Sequence, residues 1–197
     1  MTAGGKHGIF FRMKKFLALP LLVLMTLAAF PAERIKIGPY AGYFRPGDRL
    51  FQEIYGKGDG IYGGRFGIRI INGISLWFSY GQYKVTGQTT FTQERTTITL
   101  NPINASLRFN LRIGFFRPYV AAGYTYLNYR EDSAIGNVKG NGKNYSADGG
   151  FEIRFSRHFF WDIGVRFEQI KVTPGSADLG SIDLGGLQLG TSFYISF

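Results

Sequence analysis

Apolar side chains alternate with small or polar ones along most of the chain beyond residue 33. In the last eleven residues, Leu187, Leu189, Phe193, Ile195 and Phe197 share one parity, and the residues between them are small or polar. This period of two predicts a β-strand with one apolar face, because successive side chains of a strand point to opposite faces. The 28 glycines, 19 phenylalanines and 12 tyrosines also favour β-structure over helix.

Eight segments bounded by Gly, Pro, Asn or Asp carry the alternation. They are Ile35–Phe44, Gly60–Ile70, Ile74–Val85, Thr97–Arg112, Pro118–Tyr129, Tyr145–Phe155, Phe159–Ile170 and Leu184–Phe197. Connections after the second, fourth and sixth segments are tight, and those after the other segments are longer, as in a transmembrane barrel with short turns at one end. We therefore predict an all-β fold, an eight-stranded antiparallel up-and-down transmembrane β-barrel.

The parities restrict the turn lengths, because directly paired residues of a hairpin share a face. Strands two and three require an odd loop, which Ile71-Asn72-Gly73 supplies with Gly73 at a left-handed position. Ser156–His158 makes another odd loop, and Gly114–Arg117 makes the even loop that strands four and five require. In the fourth strand the apolar parity reverses, and we predict a bulge at Asn101-Pro102.

Nearly every charge within the strands lies on the parity opposite the apolar one. An Arg or Lys that faces lipid at the bilayer midplane costs ~2–4 kcal/mol, so the charged parity is expected to line the lumen. The register places Asp148 opposite Arg166 and Glu152 opposite Asp162. The predicted lumen charge network is Arg65, Arg69, Arg108, Asp148, Glu152, Arg154, Asp162, Arg166 and Glu168. A soluble lipocalin-like barrel with its apolar face inward is the alternative.

Aromatic residues gather toward the strand ends, as in the two interfacial girdles of membrane barrels. On the short-turn side these are Phe109, Phe155, Phe159, Trp161, Phe193 and Phe197, and nearer the loops they are Tyr62, Tyr126 and Tyr129. In the first long loop, Asp48 is expected to cap a short helix whose apolar face is Leu50, Phe51, Ile54 and Tyr55.

Residues 1–32 are predicted to be a helical signal peptide, with Met13 as a possible start and cleavage near Ala29 or Ala32. Basic residues precede an apolar run from Phe16 to Phe30, which is shorter than the ~20 residues of a membrane-spanning helix. Residues 33–197 then form the barrel domain. Cleavage removes four of the 23 basic residues and none of the 13 acidic ones, which leaves a net charge of +6.

Other chemistry has weak support in the sequence. The basic residues form no run or basic helix, which argues against nucleic-acid binding. There is no cysteine, zinc spacing or EF-hand pattern, and we predict no metal and no cofactor. Gly58–Gly63 matches G-x-G-x-x-G, but a strand rather than a helix follows it, and the glycine-rich Gly136–Lys143 reads as a flexible loop. Glu152 and Asp162 form a carboxylate pair that nearby arginines are expected to bridge, so we predict no catalytic residues.

The C-terminal strand resembles the sorting strand of bacterial outer-membrane β-barrels, and the whole mature chain resembles the superfamily of the OmpA transmembrane domain and OmpX-like proteins. The resemblance implies an assembly signal at Phe193, Ile195 and Phe197, read by the barrel-assembly machinery. It also implies a monomer in the bacterial outer membrane, exported through the inner membrane and in contact with lipid and lipopolysaccharide.

The resulting hypothesis is a non-enzymatic barrel with a side-chain-filled polar lumen and an envelope structural or surface-interaction role through its extracellular loops. One alternative is a narrow porin or a channel for small hydrophobic solutes. Another is a barrel enzyme that modifies lipid A, which would need a histidine beside a hydroxyl residue. His158 is the one histidine of the mature chain, and it falls in a predicted periplasmic turn beside Ser156 without a third partner.

Overall fold

The structure, a computed structural model, describes residues 34–88, 94–134, 136–172 and 182–197. The predicted signal peptide, residues 1–32, lies outside them. Ten strands and one helix follow in the order β1 (Ile35–Pro46), α1 (Arg49–Tyr55), β2 (Asp59–Ile71), β3 (Ile74–Gln88), β4 (Arg95–Asn110), β5 (Phe116–Ser133), β6 (Gly136–Arg154), β7 (Phe159–Glu168), β8 (Lys171–Val172), β9 (Ile182–Asp183) and β10 (Gly186–Ser196). No helix among these residues is long and apolar enough to cross a membrane.

Eight strands close into a barrel in the order β1-β10-β7-β6-β5-β4-β3-β2. Every neighbouring pair is antiparallel, including β1 with β10. The remaining strands, β8 and β9, pair with each other in the connection between β7 and β10. The predicted eight-stranded up-and-down barrel is confirmed. Closure leaves no unpaired strand edge in it, because the first and last strands pair through Lys36 opposite Ser196.

Three tight turns join β2 to β3, β4 to β5 and β6 to β7, and they define the short-turn end of the barrel. The three-residue loop predicted at Ile71-Asn72-Gly73 is wrong, because Ile71 pairs with Ile74 across a two-residue turn at Asn72-Gly73. A register shift between Arg69 and Ile71 restores the parity, so that Arg69 lies opposite Ser75 and the two faces stay unmixed. Gly73 has the expected positive φ of 85°. Between β4 and β5 the loop is even, as predicted, but it has two residues rather than four, because Ile113 bridges Phe116.

The bulge predicted at Asn101-Pro102 is wrong. The pairing of β3 with β4 keeps one register from Ile74 opposite Phe109 to Gln88 opposite Arg95. Ile98 and Leu100 point inward and are buried, although the charged Arg108 lies on the same face of β4. The parity reverses because the interior itself changes from polar to apolar along the barrel axis, and no extra residue is inserted.

The loop predicted at Gly136–Lys143 is also wrong, because these residues belong to β6. The β5–β6 hairpin stays paired as far as Ser133 opposite Gly136, well past the predicted strand ends. Gly140 lies opposite Tyr129, and a Cβ there would come within 2.6 Å of the Tyr129 ring. The absence of a side chain at this position therefore leaves room for an aromatic ring across the hairpin.

The outer surface of the barrel carries the apolar parity, as predicted. Trp161 stacks between Phe155 and Phe193, with centroid distances of 6.4 and 6.0 Å, at the short-turn end. Toward the opposite end, which we call the loop end, Tyr62 and Tyr126 are exposed on the outside. Tyr129 differs from the prediction, because it faces the interior and is 8% exposed. These aromatic side chains lie near the two ends of the strands, as do those of the interfacial girdles of membrane barrels.

Candidate functional site in the barrel interior

Asp162 of β7 is the centre of the interior charges and is fully buried. Its carboxylate oxygens lie 3.2 Å from Arg65 Nη1 and 2.9 Å from Arg108 Nη1. The hydroxyl of Tyr119 donates a third hydrogen bond, at 3.2 Å. In the closed strand order, two strands separate β7 from β2 and two separate it from β4. These ion pairs therefore cross the lumen instead of running along its wall.

Aromatic rings hold both arginines that contact Asp162. The Arg108 guanidinium lies 4.1 Å from the Trp77 ring centroid and 3.7 Å from that of Tyr119. The guanidinium of Arg65 lies 4.0 Å from the centroid of Tyr40. Since a cation over an aromatic face is favourable and leaves little room for water, these contacts fix the positive charges without hydrating them.

Glu152 of β6 has two cationic partners of its own. Its Oε1 is 2.5 Å from Lys36 Nζ and 3.6 Å from Arg117 Nη1. Glu152 and Asp162 pair directly in the register, as predicted, yet each is neutralised by separate cations. Lys36 and Arg117 are not among the lumen residues predicted from the sequence. The parity of β1 could have identified Lys36, which lies on the same face as the inward-facing Tyr40. Arg117 lies outside the predicted fifth strand, which begins at Pro118, whereas β5 begins at Phe116.

Arg166 and Asp148 form a bidentate ion pair. Arg166 Nε donates to Asp148 Oδ1 at 2.6 Å, and Nη2 donates to Oδ2 at 3.1 Å. The remaining Nη1 reaches across the whole lumen to Ser79 Oγ of β3, at 3.0 Å. Closer to the loop end, Glu168 accepts hydrogen bonds from Thr125 Oγ1 at 2.8 Å and from Gln188 Nε2 at 3.2 Å. A carboxylate at that level is held by neutral donors.

Two members of the predicted lumen set are not buried in the interior. Arg154 is exposed and Arg69 is half-buried, both at the short-turn end. From here on, the charge network means the buried groups that the structure joins by ion pairs. It consists of Lys36, Arg65, Arg108, Arg117, Asp148, Glu152, Asp162 and Arg166.

Above the charge network the interior is apolar. We call its buried cluster the apolar plug, which consists of Tyr40, Phe44, Phe51, Tyr55, Ile61, Tyr83, Ile98, Leu100, Leu127, Tyr129, Ile170, Val172 and Leu184. A cavity of about 200 Å³ remains between the plug and α1, with Ile54 and Val138 among its lining residues.

The helix α1 lies over this end of the lumen. As predicted, Asp48 caps it, with Oδ1 accepting from the Phe51 N–H at 3.0 Å. Phe51 and Tyr55 are buried, but Leu50, placed on the apolar face by the prediction, is 64% exposed. The Tyr55 hydroxyl donates to Glu131 Oε1 at 2.6 Å.

That hydroxyl also lies 3.1 Å from the hydroxyl of Thr96, so one polar cluster anchors the end of α1. Burial, followed by the hydrogen bond to Glu131, raises the pKa of the Tyr55 phenol above its usual value.

The histidine–serine pair does not form a dyad. His158 Nδ1 lies 2.9 Å from the carbonyl oxygen of Ser196, and Ser156 Oγ accepts the backbone N–H groups of His158 and Phe159. The serine therefore closes the β6–β7 turn, and His158 is exposed there. Among the residues that the structure describes, no group of three or more His, Asp or Glu side chains could hold a metal ion.

Comparisons with known proteins agree with this geometry. The family model for "Outer membrane protein beta-barrel domain" matches residues 16–194. The structure is similar to Neisserial surface protein A, with a TM-score of 0.65, 16% identity, and coverage of 85% of this chain and 100% of that one. It is also similar to OprG from Pseudomonas aeruginosa, with a TM-score of 0.65, 16% identity, and coverage of 84% and 96%.

A further similarity is to outer membrane protein W from E. coli, with a TM-score of 0.57, 14% identity, and coverage of 83% of this chain and 98% of that one. At these identities the likeness concerns the fold. No curated protein sequence matches the chain.

Proposed function

Since the chain belongs to the outer membrane protein beta-barrel domain family, we propose that it is a non-enzymatic integral barrel with a closed lumen and a structural or surface-interaction role. Membership of the family places it in the bacterial outer membrane. Export through the inner membrane and assembly through the C-terminal strand, with Phe193, Ile195 and Phe197 as the signal, are parts of the proposal. So is a monomeric state in contact with lipid and lipopolysaccharide, in keeping with a barrel that has no free strand edge.

The filled lumen is the observation that carries the proposal. The bond from Arg166 to Ser79 spans the lumen, and Asp162 joins β7 to both β2 and β4. The apolar plug and α1 lie above these contacts. In the part of the chain that the structure describes, a polar layer and an apolar layer therefore fill the lumen in series, which supports a barrel closed to water, as expected of eight strands whose interior is just wide enough for side chains.

The loop end is the part of the molecule that is available to other molecules. In membrane barrels the short turns are periplasmic and the longer connections extracellular, so the β5–β6 hairpin and α1 project from the cell. The outer part of this hairpin is exposed from Asn137 to Lys139, and it carries an exposed ion pair between Arg130 and Asp132 at 2.8 Å. This surface is rigidly paired, polar and charged, which suits contacts with polar envelope components.

Conductance in planar lipid bilayers tests the closed lumen. We expect no channel openings for the natural protein, and none for Asp162→Asn, because the apolar plug still blocks the path. Asp132→Asn, which removes an exposed carboxylate at the loop end, is the matched control. Regular single-channel steps in the natural protein would favour the narrow-porin alternative over the closed barrel.

Cysteine labelling tests the orientation, since the chain contains no cysteine. On intact cells we expect a membrane-impermeant maleimide to label Lys139→Cys, in the β5–β6 hairpin, and not Arg157→Cys, in the β6–β7 turn. Both side chains are exposed, so both variants should react equally after the membrane is dissolved. The reverse pattern on intact cells would invert the proposed topology.

A second candidate function, the binding of small hydrophobic solutes, is favoured by the apolar cavity of about 200 Å³ beside α1. An apolar concavity with few polar groups is the usual form of such a site. We expect an environment-sensitive apolar dye to bind the natural protein and to lose binding in Val138→Trp, which narrows the cavity at its exposed side. Leu187→Trp, on the lipid-facing surface, is the control and should bind as before.

The lipid A-modifying alternative depends on His158. Its ring contacts a backbone carbonyl at the short-turn end, and its neighbour Ser156 is engaged in the turn. We expect His158→Ala to leave the lipid A profile of cells unchanged, and a lost modification would restore the enzyme hypothesis.

A further inference from the structure

The outward-facing charges of the barrel lie almost entirely on one side of it. On the outward parity of β1, β2, β7 and β10, Arg45 is the one charged residue. The outward parity of β3, β4, β5 and β6 carries five cations and a single carboxylate, Asp132. The cations are Lys84, Arg95, Arg130, Lys139 and Lys143, and all of them are exposed. We call the part of this wall that carries Lys84, Arg130, Lys139 and Lys143 the basic face.

The strand register brings the cations of the basic face next to one another. Thr99 of β4 pairs with both Lys84 of β3 and Arg130 of β5. Arg130 in turn pairs with Lys139 of β6, and Lys143 follows on the same parity of that strand. Since neighbouring strands are ~4.8 Å apart, the row from β3 to β6 spans about 14 Å. One ligand with several negative charges can therefore contact all four cations.

Most of this positive charge has no counter-charge. Arg130 Nε donates to Asp132 Oδ1 at 2.8 Å. In the part of the chain that the structure describes, Lys84, Lys139 and Lys143 form no ion pair. Like charges this close repel each other unless anions lie between them. The three exposed ammonium groups are thus available to an anionic ligand.

The depth of the basic face matches the headgroup region of a membrane. On the outward parity of β5, Tyr126 lies ten positions beyond Phe116, which is at the short-turn end. At ~3.3 Å per residue and a tilt of ~40°, that distance is about 25 Å along the membrane normal, the height of the apolar band of such barrels. Lys143 lies directly opposite Tyr126, at the upper edge of the band. Arg130 is four positions farther out, about 10 Å above that edge.

Amide groups lie between this edge and the outer cations. Asn101, Asn128 and Asn141 occupy one row, because Asn128 pairs with each of the other two. Asn101 Oδ1 accepts a hydrogen bond from the Tyr80 hydroxyl at 3.2 Å, whereas Asn128 and Asn141 are exposed. A side-chain amide both donates and accepts, which suits the hydroxyl groups of a sugar. The wall thus offers partners to hydroxyl groups as well as to anions.

We propose that the basic face is a binding surface for lipopolysaccharide, with the cations as ligands of its phosphate and carboxylate groups and the amides as partners of its sugar hydroxyls. The proposal rests on the proposed orientation, in which the loop end lies at the outer leaflet. A phospholipid headgroup carries its phosphate at one depth. Lipopolysaccharide carries phosphates near its acyl chains and acidic sugars above them, which matches cations spread over about 10 Å of depth. Below Lys143 the exposed Ile103, Tyr124 and Tyr145 suit the acyl chains.

The test is a titration of the full barrel in detergent micelles with lipopolysaccharide that retains its inner core. A chelator is present, so that no divalent cation bridges the lipid to Asp132, and native mass spectrometry measures the bound fraction. We expect saturable binding that Lys139→Gln/Lys143→Gln weakens by about 30-fold, since each cation near an anionic lipid surface contributes about fivefold. Both side chains are exposed, so the double variant should fold. No saturable binding, or an unchanged affinity in this variant, would overturn the proposal.

Arg45→Gln/Arg49→Gln is the matched control for net charge. It removes two exposed cations at the loop end on the other side of the barrel, where Arg49 lies near Phe167 and Gly186. Its affinity should stay within about twofold of that of the natural protein, because distant exposed charges are screened at physiological salt. A loss as large as that of Lys139→Gln/Lys143→Gln would show that net charge, and not the basic face, is responsible.

Phosphatidylglycerol, an anionic phospholipid with a single phosphate, tests the class of lipid. It should bind at least about tenfold more weakly than lipopolysaccharide. Asn128→Ala/Asn141→Ala should weaken lipopolysaccharide binding by about fivefold and leave phosphatidylglycerol binding unchanged, because only the first lipid has sugar hydroxyls for the amides. Equal affinities for the two lipids in the natural protein would assign the basic face to anionic lipids in general and contradict the proposal.

The binding measurement is independent of the orientation in cells, because the barrel in a micelle is open to lipid from both ends. Absence of binding together with the expected cysteine-labelling pattern would contradict the lipopolysaccharide site alone. The inverted labelling pattern would contradict the proposed orientation, whatever the affinity in micelles.

Discussion

The two halves of the barrel interior are stabilised by different interactions, ion pairs in one half and apolar packing in the other. In the half toward the short-turn end, charges from opposite walls meet, as in the contacts of Asp162 with Arg65 and Arg108. In the half toward the loop end, Leu100, Leu127 and their neighbours exclude water by packing. Charged groups fill the first half because each member of the charge network is paired with a charge of opposite sign. Apolar groups fill the second because α1 covers them. The same barrel wall thus supports two kinds of core.

The difference predicts unequal responses to mutation. A buried ion pair contributes little relative to an apolar core, but removal of one partner leaves an uncompensated charge. An apolar core responds in proportion to the volume that is lost. The charged half should therefore be the more sensitive to single substitutions, although it is not the half with the greater apolar burial.

Asp162→Asn is expected to have the largest effect. It leaves Arg65 and Arg108 buried without their shared counter-charge, and breaking a buried pair costs about 3–5 kcal/mol. The free energy of unfolding in urea, measured in lipid vesicles, is the readout. Asp132→Asn, at an exposed ion pair, is the control and should cost under about 1 kcal/mol. If both variants lost the same amount, the charges would not control this half.

Leu127→Ala should come next, with a loss of about 2–4 kcal/mol. Leu127 is 2% exposed in the apolar plug, and truncation there removes buried contacts and leaves a cavity. The same unfolding measurement applies. Leu50→Ala, on the exposed side of α1, should change the free energy of unfolding by less than about 0.5 kcal/mol. A Leu127→Ala barrel as stable as the Leu50→Ala barrel would show that the plug is loosely packed.

Tyr55→Phe should have a smaller and more local effect, near 1 kcal/mol, because it deletes the hydrogen bonds to Glu131 and Thr96. We expect faster amide hydrogen exchange in α1 with little change elsewhere. The raised pKa of Tyr55 means that its neutral form is favoured in the folded state.

The contribution of Tyr55 to stability is therefore complete below the ordinary pKa near ~10 and is lost as pH rises toward the raised value. Protection of α1 in the natural protein should decline above about pH 10, and Tyr55→Phe should abolish that decline. A pH-independent α1 in the natural protein would contradict this interpretation.

Arg154→Gln should have the smallest effect, at most about 0.5 kcal/mol, because Arg154 is exposed at the short-turn end. The comparison with Arg108→Gln, which removes a buried member of the charge network, is the measurement. A cost for Arg154→Gln as large as that for Arg108→Gln would extend the network to the rim.

Much of the barrel could be read from the sequence because a strand has a strict period of two. The parity alone placed Asp148 opposite Arg166 and Glu152 opposite Asp162, since a one-residue slip would turn charges toward lipid. The same logic failed at Ile98 and Leu100. A pattern of alternation shows that a residue faces inward or outward, but it does not show whether the interior at that level is polar.

The contacts between residues on opposite sides of the lumen also could not be predicted from the sequence. Lys36 and Glu152 are 116 positions apart in sequence, and their strands are not neighbours. Nothing in local spacing relates such residues, because their contact depends on barrel circumference and strand stagger. The length of the β5–β6 hairpin could not be predicted for another reason. A glycine-rich segment predicts a loop when only the sequence is known. In the structure the ring of Tyr129 packs against Gly140, and this contact explains why a glycine lies within the strand.

The sequence by itself determined the number of strands in the barrel, their order around it, the outward face of most apolar residues and the inward face of most charged ones. Those properties follow from local geometry and from the cost of a charge in lipid. Only the tertiary structure decided which charges meet, where the polar interior gives way to the apolar plug, and that Lys36 and Arg117 share Glu152 as their counter-charge. These depend on closure of the sheet, which brings distant strands to within the reach of a side chain.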